Sequence, residues 1–528
     1  VASLTFYGGV KEIGGNKILL EDDRGKLFLD FGYPYKKYHH FYEEYLKPRV
    51  GAGLLDLLAM GLLPHIEGIY RTDLEAGNLW QQVRRAGHYR ELHDIDGILL
   101  THAHLDHSGH ISCLREDIPV YSTATTAFIT KAIQDSGRAD FDQQVCYFTP
   151  RREACAEGLK QGAYVASSGG DRQRRFRVAE QSKLGEEARS FWQKATRQKK
   201  LDSQPLEDIS KCGFNLRCFP VDHSIPGACA WGIETSSGWL VYSGDLRLHG
   251  NRSSLTERFI KEAGLLRPRA LILEGTNVAK TENTNETKVY ENAFRAVSEA
   301  RGLVIADFPA RDVDRLLTFL QVARDAKRKL AILPRDAYLL KTMRLVEPAI
   351  PDLNAEDSLV IYQETTAART PAAWLKSIYQ EYSGKIVLAQ DVGSNQSDFI
   401  LSFSFWDLNE LPSIRPEAGS LYVFSSSEPH DEEQEMDFWR LHHWLEHFQL
   451  QAVGLPVERG TKWEIPEEEK GLHASGHACG PDLLRVAREI RPEMIIPVHS
   501  EKPEFYEDNL SGSGIEVILP TEGGTVNI

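Results

Sequence analysis

Residues 101–110, THAHLDHSGH, pack four histidines and an aspartate into ten positions directly after the apolar run GILL at 97–100. A short apolar run bounded by polar residues reads as a buried strand, so these side chains are delivered at a strand mouth rather than on an open surface loop. His102 and His104, one residue apart, lie on the same side if the chain stays extended, and their imidazoles can then share one ion. Asp106 and His107 follow where a helix is expected to begin near Ser108, and they suit a second ion beside the first. Three histidines at these offsets around an aspartate arise by chance in on the order of one such chain in a thousand.

Two ions need more ligands than one loop supplies. Three further apolar runs end on suitable side chains: RCFPVDHSIPGA presents His223, GWLVYSGDLRLHG presents Asp245, and EMIIPVHSE presents His499. A carboxylate such as Asp245 can bridge two cations and leave a shared water or hydroxide that is nucleophilic at neutral pH.

The surrounding pattern gives an α/β class. The opening, SLTFYGG to KLFLDFG, reads as a hairpin whose second strand ends at Asp30, and GAGLLDLLAMGLL reads as helical. From DIDGILL onward strands and helices alternate, which predicts a sandwich of two sheets with helices outside. After ALILEGTN (270–277) the texture changes to amphipathic helices between parallel-type strands, including KLAIL, KIVLAQD and SLYVFSSS. This places an inserted α/β domain at 278–458, flanked by a first domain at 1–277 that resumes at 459–528. The length of 528 residues accommodates that division.

Composition excludes several classes. Seven cysteines without a CxxC pair argue against a disulfide framework or a thiolate zinc site. No run of eighteen apolar residues and no signal-like start occur, so a cytoplasmic chain with no membrane partner is expected. A net charge of −15 argues against a broadly basic nucleic-acid surface. Charge is local, however: 171–200 holds ten Lys/Arg against four Asp/Glu, which reads either as a solvated helical arm or as a track for a polyanion or protein partner.

THAHLDHSGH resembles the HxHxDH motif of the metallo-β-lactamase superfamily, with LFLDFG, His223 and Asp245 in that family's order. HASGHA…IIPVHSE is similar to the final motifs of the β-CASP nucleases, above all the ribonuclease J group, and the resemblance runs from Gly8 to the final strand. It implies a metallo-β-lactamase αββα sandwich with an inserted α/β β-CASP domain. It implies one zinc held by His102, His104 and His223, a second by Asp106, His107 and His499, and Asp245 bridging both. Zinc is expected from the His-rich donors, while manganese suits the carboxylates. Asp30 would be the acid behind the metal loop that orients it.

By the same resemblance Glu274 is an acid at the site and His477 contacts the scissile phosphate and assists the leaving group, so that Asp106, His477 and Glu274 carry the catalysis. His473, Ser475, Gly476, Ser425 and Ser426 would contact phosphate or substrate, and FSSSEPH (424–430) and DFPARDVDR (307–315) fall near such stretches. The implied activity is a two-metal nuclease on single-stranded RNA, 5′-to-3′ exonucleolytic with some endonuclease ability. DNA is the alternative polymer; a silent scaffold and a small-molecule metallo-hydrolase are the alternative classes. A homodimer and a protein partner at 171–200 complete the expectations.

Overall fold

The computed structural model describes residues 1–528 apart from 44, 76–77, 85–87, 138–140, 155–162, 197–199, 310, 366–370, 427–431 and 460–461. Strict alternation in the first strands sets the layering. In the strand Lys17–Asp22, Ile18 and Leu20 join one apolar cluster while Leu19 joins another on the opposite face. Leu240 and Tyr242 of the strand Gly238–Tyr242 likewise enter the first cluster, and Val241 faces away. Side chains two apart share a face of a strand, so the shared cluster is the core between two sheets.

One sheet has eight strands, in the order 207–208, 176–178, 120–122, 97–99, 25–29, 17–22, 3–8 and 525–527. The other has six, in the order 215–220, 229–235, 238–242, 270–273, 494–497 and 516–517. The outer face of the second sheet is covered by the helices Ser253–Leu265 and Gly480–Ile490, whose Phe259, Ile260, Leu483 and Ala487 pack on Val241 and Leu271. The result is the layered α/β sandwich read from the sequence.

Residues 304–453 supply every strand of a third sheet, seven-stranded and parallel, ordered 386–387, 359–362, 329–332, 399–402, 304–307, 421–424 and 451–453. Its five inner strands are buried on both faces, while the edge strands 386–387 and 451–453 are partly exposed.

Four local expectations change. KIVLAQD is a strand only at Ile386–Val387; the Asp391 carboxylate accepts from the Leu388 amide at 2.8 Å and turns Ala389–Ser394 into a helix. Within GAGLLDLLAMGLL the helix is confined to Leu55–Ala59. Two apolar strands, Leu359–Tyr362 and Phe399–Ser402, stand in the third sheet without having been singled out in the sequence.

The basic segment is not a helical arm. It forms the strands Asp171–Gln173 and Phe176–Val178 and a seven-residue helix, Glu186–Trp192; 197–199 lie outside the described residues. Arg174 is fully buried and donates to the carbonyls of Val145, Arg115 and Leu114. Arg177 pairs with Glu207 and Arg172 with Glu116. Of the ten basic side chains counted there, Arg174 and Arg177 are built into the fold and Arg172 is in an exposed pair.

Candidate metal centre

The site assembles at the ends of five strands, 97–99, 215–220, 238–242, 270–273 and 494–497. After Leu99 the chain leaves the strand, bends at Ala103, is extended again at His104 and enters a short helix at Leu105–Ser108. This turn is held closely: a Cβ at Gly32 would sit 1.6 Å from the Asp106 carbonyl, so only glycine fits there. Asp30 and His499 adopt positive φ, +53° and +52°, conformations unfavourable for such residues and characteristic of functional sites.

Asp30 is fully buried and accepts four hydrogen bonds: from the Thr101 amide (2.8 Å) and hydroxyl (2.9 Å), His107 Nδ1–H (2.7 Å) and the Tyr242 hydroxyl (2.7 Å). The tautomers follow from these partners. With its proton given to Asp30, the Thr101 hydroxyl can only accept from His102 Nδ1–H, at 3.0 Å. His223 Nδ1–H donates to the Gly476 carbonyl (2.6 Å), and His499 Nδ1–H to the Thr276 hydroxyl (2.8 Å). Each of these four imidazoles is thereby left with a bare Nε2. His104 presents Nδ1 instead, 3.0 Å from His102 Nε2 and 3.1 Å from His223 Nε2.

Lone pairs so placed repel one another unless a cation lies between them. Donor atoms of His102, His104 and His223 all lie within 4.8 Å of one another, as do those of Asp106, His107, Asp245 and His499. His107 Nε2 and Asp245 Oδ1 are buried without a hydrogen-bond partner among the described residues. Donor chemistry and orphaned atoms both fit bound divalent metal, with Asp245 beside both groups: its Oδ2 is 3.6 Å from His102 Nε2 and 3.1 Å from His107 Nε2.

The electrostatics agree for the first group, whereas in the absence of a cation Asp245, Asp106 and Asp30 raise His107 well above the usual imidazole range against its burial. Burial holds His102 and His223 neutral, well below the usual imidazole range, and takes His104 down to about 4. Burial works against ionised Asp245 as well, but His107, His499 and His477 outweigh it and keep the carboxyl well below its ordinary range. The first group therefore offers neutral nitrogen donors, the second a charged carboxylate pair.

Glu274 and His477 stand next to this centre. His477 Nδ1–H donates to Glu274 Oε2 at 2.9 Å, while Glu274 Oε1 accepts from the Leu246 amide at 2.7 Å. Burial opposes the His477 imidazolium, but Glu274 and then Asp245 override it and raise the group to about 9. Ser475 Oγ accepts from Asn277 Nδ2 (2.7 Å) and the His477 amide (3.1 Å), bracing the loop. A Cβ on Gly476 would meet His223 Cε1 at 2.8 Å, so that loop lies directly on a donor imidazole.

A cavity of about 780 Å³ opens above, between the sandwich and the inserted sheet. His104, Asp106, His223, His477 and His499 line its floor, and His473, Ser475, Gly476 and Ser425 its walls. Ser425 turns its hydroxyl inward to the Leu472 carbonyl (2.6 Å); Ser426 contributes a carbonyl to His473 rather than a cavity wall. The remainder of FSSSEPH, 427–430, and residue 310 lie outside the described residues.

Sequence reasoning did not single out Arg311, Lys280, Lys288 and Lys470, which also line the cavity, nor Arg247 and Arg315, which brace its walls from beneath. The available signal was weak: two basic residues within DFPARDVDR, and one two positions after Asp245.

A family model for a beta-lactamase superfamily domain matches residues 73–155, and one for a Zn-dependent metallo-hydrolase RNA specificity domain matches 468–520. Ribonuclease J of Mycolicibacterium smegmatis is 23% identical over 509 residues, covering 94% of this chain and 68% of that protein. Ribonuclease J of Corynebacterium glutamicum is 22% identical, covering 94% and 53%. Ribonuclease J 2 of Staphylococcus saprophyticus reaches 32% over 329 residues, 60% of this chain and 52% of that one. The chain thus spans about half to two-thirds of the length of these relatives. A crystal structure of a protein of unknown function from Enterococcus faecalis V583 shares the fold, with a TM-score of 0.63 at 20% identity over 99% of both chains. One domain match covers the part of the sandwich that bears the histidine loop, the other covers the returning C-terminal segment, and the likeness to ribonuclease J runs across nearly the whole sequence: the chain carries a beta-lactamase superfamily domain and a Zn-dependent metallo-hydrolase RNA specificity domain and is similar to ribonuclease J.

Proposed function

We propose that the protein is a metal-dependent phosphodiesterase that degrades or processes single-stranded RNA in the cytoplasm, mainly as a 5′-to-3′ exonuclease. The observation that supports this most directly is the pair of donor groups flanking Asp245 at the floor of an interdomain cavity, with the Glu274–His477 pair beside them. His102, His104 and His223 would hold one zinc, Asp106, His107 and His499 the other, with Asp245 offering oxygen to both. When bound, the two cations supply Lewis acidity that polarises phosphoryl oxygens and makes water nucleophilic at neutral pH. Asp30 keeps the tautomers of His107 and, through Thr101, of His102. Glu274 holds His477 protonated, so the imidazole can pass its Nε2 proton to the departing oxygen. Lys280, Lys288, Arg311 and Lys470 carry positive charge along the cavity wall, where the flanking phosphates of a strand would run.

The test uses 5′-labelled, 5′-monophosphorylated single-stranded RNA and the matching DNA, with zinc or manganese and an Asp106→Ala control. Release of labelled mononucleotide from RNA, absent in the control, is expected. Preferential loss of DNA would replace RNA as the substrate; cleavage of neither would overturn the nuclease reading.

A further inference from the structure

Beyond the metal loop the chain runs through FGYPYKKYHHFY, residues 31–42, which holds six Phe/Tyr, two Lys and two His without one Asp or Glu in a chain of net charge −15. The reaction described so far uses none of these rings. They are arranged in two layers. The inner layer begins at His110, the fourth histidine of THAHLDHSGH, which is buried and has no hydrogen-bond partner on either ring nitrogen among the described residues. Its ring lies 5.1 Å from Tyr33, Tyr33 lies 5.1 Å from Tyr38, and Tyr38 lies 5.2 Å from Tyr42. The metal loop thus anchors a half-buried cluster of mutually tilted rings.

The outer layer is exposed. Tyr35, 40% exposed, lies 6.2 Å from His39, and Phe41, 46% exposed, lies 6.4 Å from His40. This layer starts at the cavity. The Tyr33 amide donates to the Leu105 carbonyl at 2.9 Å, and Pro34 backs onto Gly15, whose amide donates to the Asp106 carbonyl at 3.0 Å. Tyr35 is the next residue, close enough to Asp106 and the cavity-lining Arg311 to feel both charges. Lys36 and Lys37 fix the segment from below through Glu501 and Glu522, exposed pairs that locate the backbone more than they stabilise it.

Large rings left in water at the rim of a cleft have a cost that a binding partner removes. The partner must present flat apolar faces in series while its charged backbone lies in the cavity, where Arg311 and the lysines are. Single-stranded nucleic acid has that build, because every base has a stacking face and every linkage a phosphate. We propose that Tyr35, His39 and Phe41 form a base-stacking platform for nucleotides of the RNA strand just outside the reaction cavity. This rests on the RNA reading of the site and adds to it a second contact surface, one that reads bases as stacking faces without selecting sequence.

The test is equilibrium binding of a fluorescently labelled 20-nucleotide single-stranded RNA to the full chain kept metal-free with EDTA, followed by anisotropy. His39→Ala and Phe41→Ala are each expected to weaken binding by about tenfold, the scale of one lost base stack. Phe41→Trp, which keeps a stacking face, should bind at least as well as the parent. A strand of the same length made entirely of abasic sugar-phosphate should bind parent and Ala variants equally, which separates stacking from any effect on the fold. Equal affinity of the parent and both Ala variants for normal RNA overturns the platform while leaving the nuclease reading in place. Absence of RNA binding by the parent overturns both, and a loss in the Ala variants that persists on the abasic strand overturns stacking as the cause.

Discussion

The Asp30 carboxylate shows how much one residue arranges. It occupies a strained positive-φ position at the end of a strand, yet four hydrogen bonds converge on it and decide which nitrogen of His107, and through Thr101 of His102, is left bare. Glu274 does the equivalent for His477 with charge as well as geometry. Its carboxylate and that of Asp245 lift His477 to about 9 against burial, so the imidazole is protonated below that pH and loses its proton above it. If His477 delivers a proton, kcat falls on the alkaline side as the group deprotonates. Glu274→Gln keeps an acceptor for Nδ1–H and removes the charge, so the alkaline limb of the kcat profile should move to lower pH. A pH series of kcat at saturating RNA checks this, and an unmoved alkaline limb would remove Glu274 from that role.

Between elements, the decisive connections are buried arginines. Arg315, on the helix Val313–Asp325, donates from Nε (3.1 Å) and Nη2 (3.0 Å) to Glu286 on the helix Glu286–Glu299, and from Nη1 to the Ser425 hydroxyl at 2.6 Å. It also reaches the carbonyls of Leu472 (3.4 Å) and Ala474 (3.3 Å), so one side chain ties two helices to the loop that carries His473 and His477. Arg247 bridges the sandwich and the insertion, with Asp222 at 3.2 Å, Asp314 at 2.6 Å and the Ser475 carbonyl at 3.4 Å. Arg315→Met leaves buried Glu286 with only Arg247 at 3.8 Å and the Thr318 hydroxyl at 3.0 Å, which should cost about 3 kcal/mol in urea unfolding. Arg315→Met with Glu286→Leu should recover most of that stability, yet RNA KM should stay raised because the loop carbonyls remain unheld. Recovery of KM together with stability would reduce the clamp to a folding role.

These arginines also mark where sequence reasoning stops. His102, His104, His223, Asp245 and His499 were legible because each follows a recognisable apolar run, and a metal site needs few residue types. The two-sheet core was legible through period-2 alternation such as Ile18, Leu19 and Leu20. Arg174, Arg247 and Arg315 were not, because a buried arginine is identical in sequence to a solvated one; only the carbonyls gathered around it by distant segments reveal its place. The strands Leu359–Tyr362 and Phe399–Ser402 escaped notice because a short apolar run buried on both faces has no alternation to detect.

At the scale of the whole molecule the problem is how a chain with net charge −15 attracts a polyanion. Its surface is covered with paired charges, and the basic segment at 171–200, prominent in sequence, has Arg172, Arg174 and Arg177 engaged with internal partners. Within the cleft, Lys280, Lys288, Arg311 and Lys470 line the cavity together with Glu282, Glu467 and Asp312, and Lys470 pairs with Glu467 at 2.7 Å. A narrow track in an otherwise repelling surface gives binding that is weak at a distance and specific in path, since only a strand threaded between the two domains reaches compensating charge. Such a track leaves a thermodynamic trace: each phosphate neutralised releases counterions, and for a single strand the slope of log K against log salt changes by about 0.7 per contact. Arg311 makes no ion pair among the described residues and lines the cavity close to Asp106. Arg311→Gln should therefore weaken binding of single-stranded RNA to the metal-free chain and flatten the salt slope by about 0.7, whereas Arg172→Gln, on the former candidate track, should leave that slope unchanged. Titrations between 50 and 300 mM potassium chloride, on the order of one decade of ionic strength, read both variants. A flattened slope for Arg172→Gln instead would return the polyanion path to the 171–200 face and take it out of the cleft.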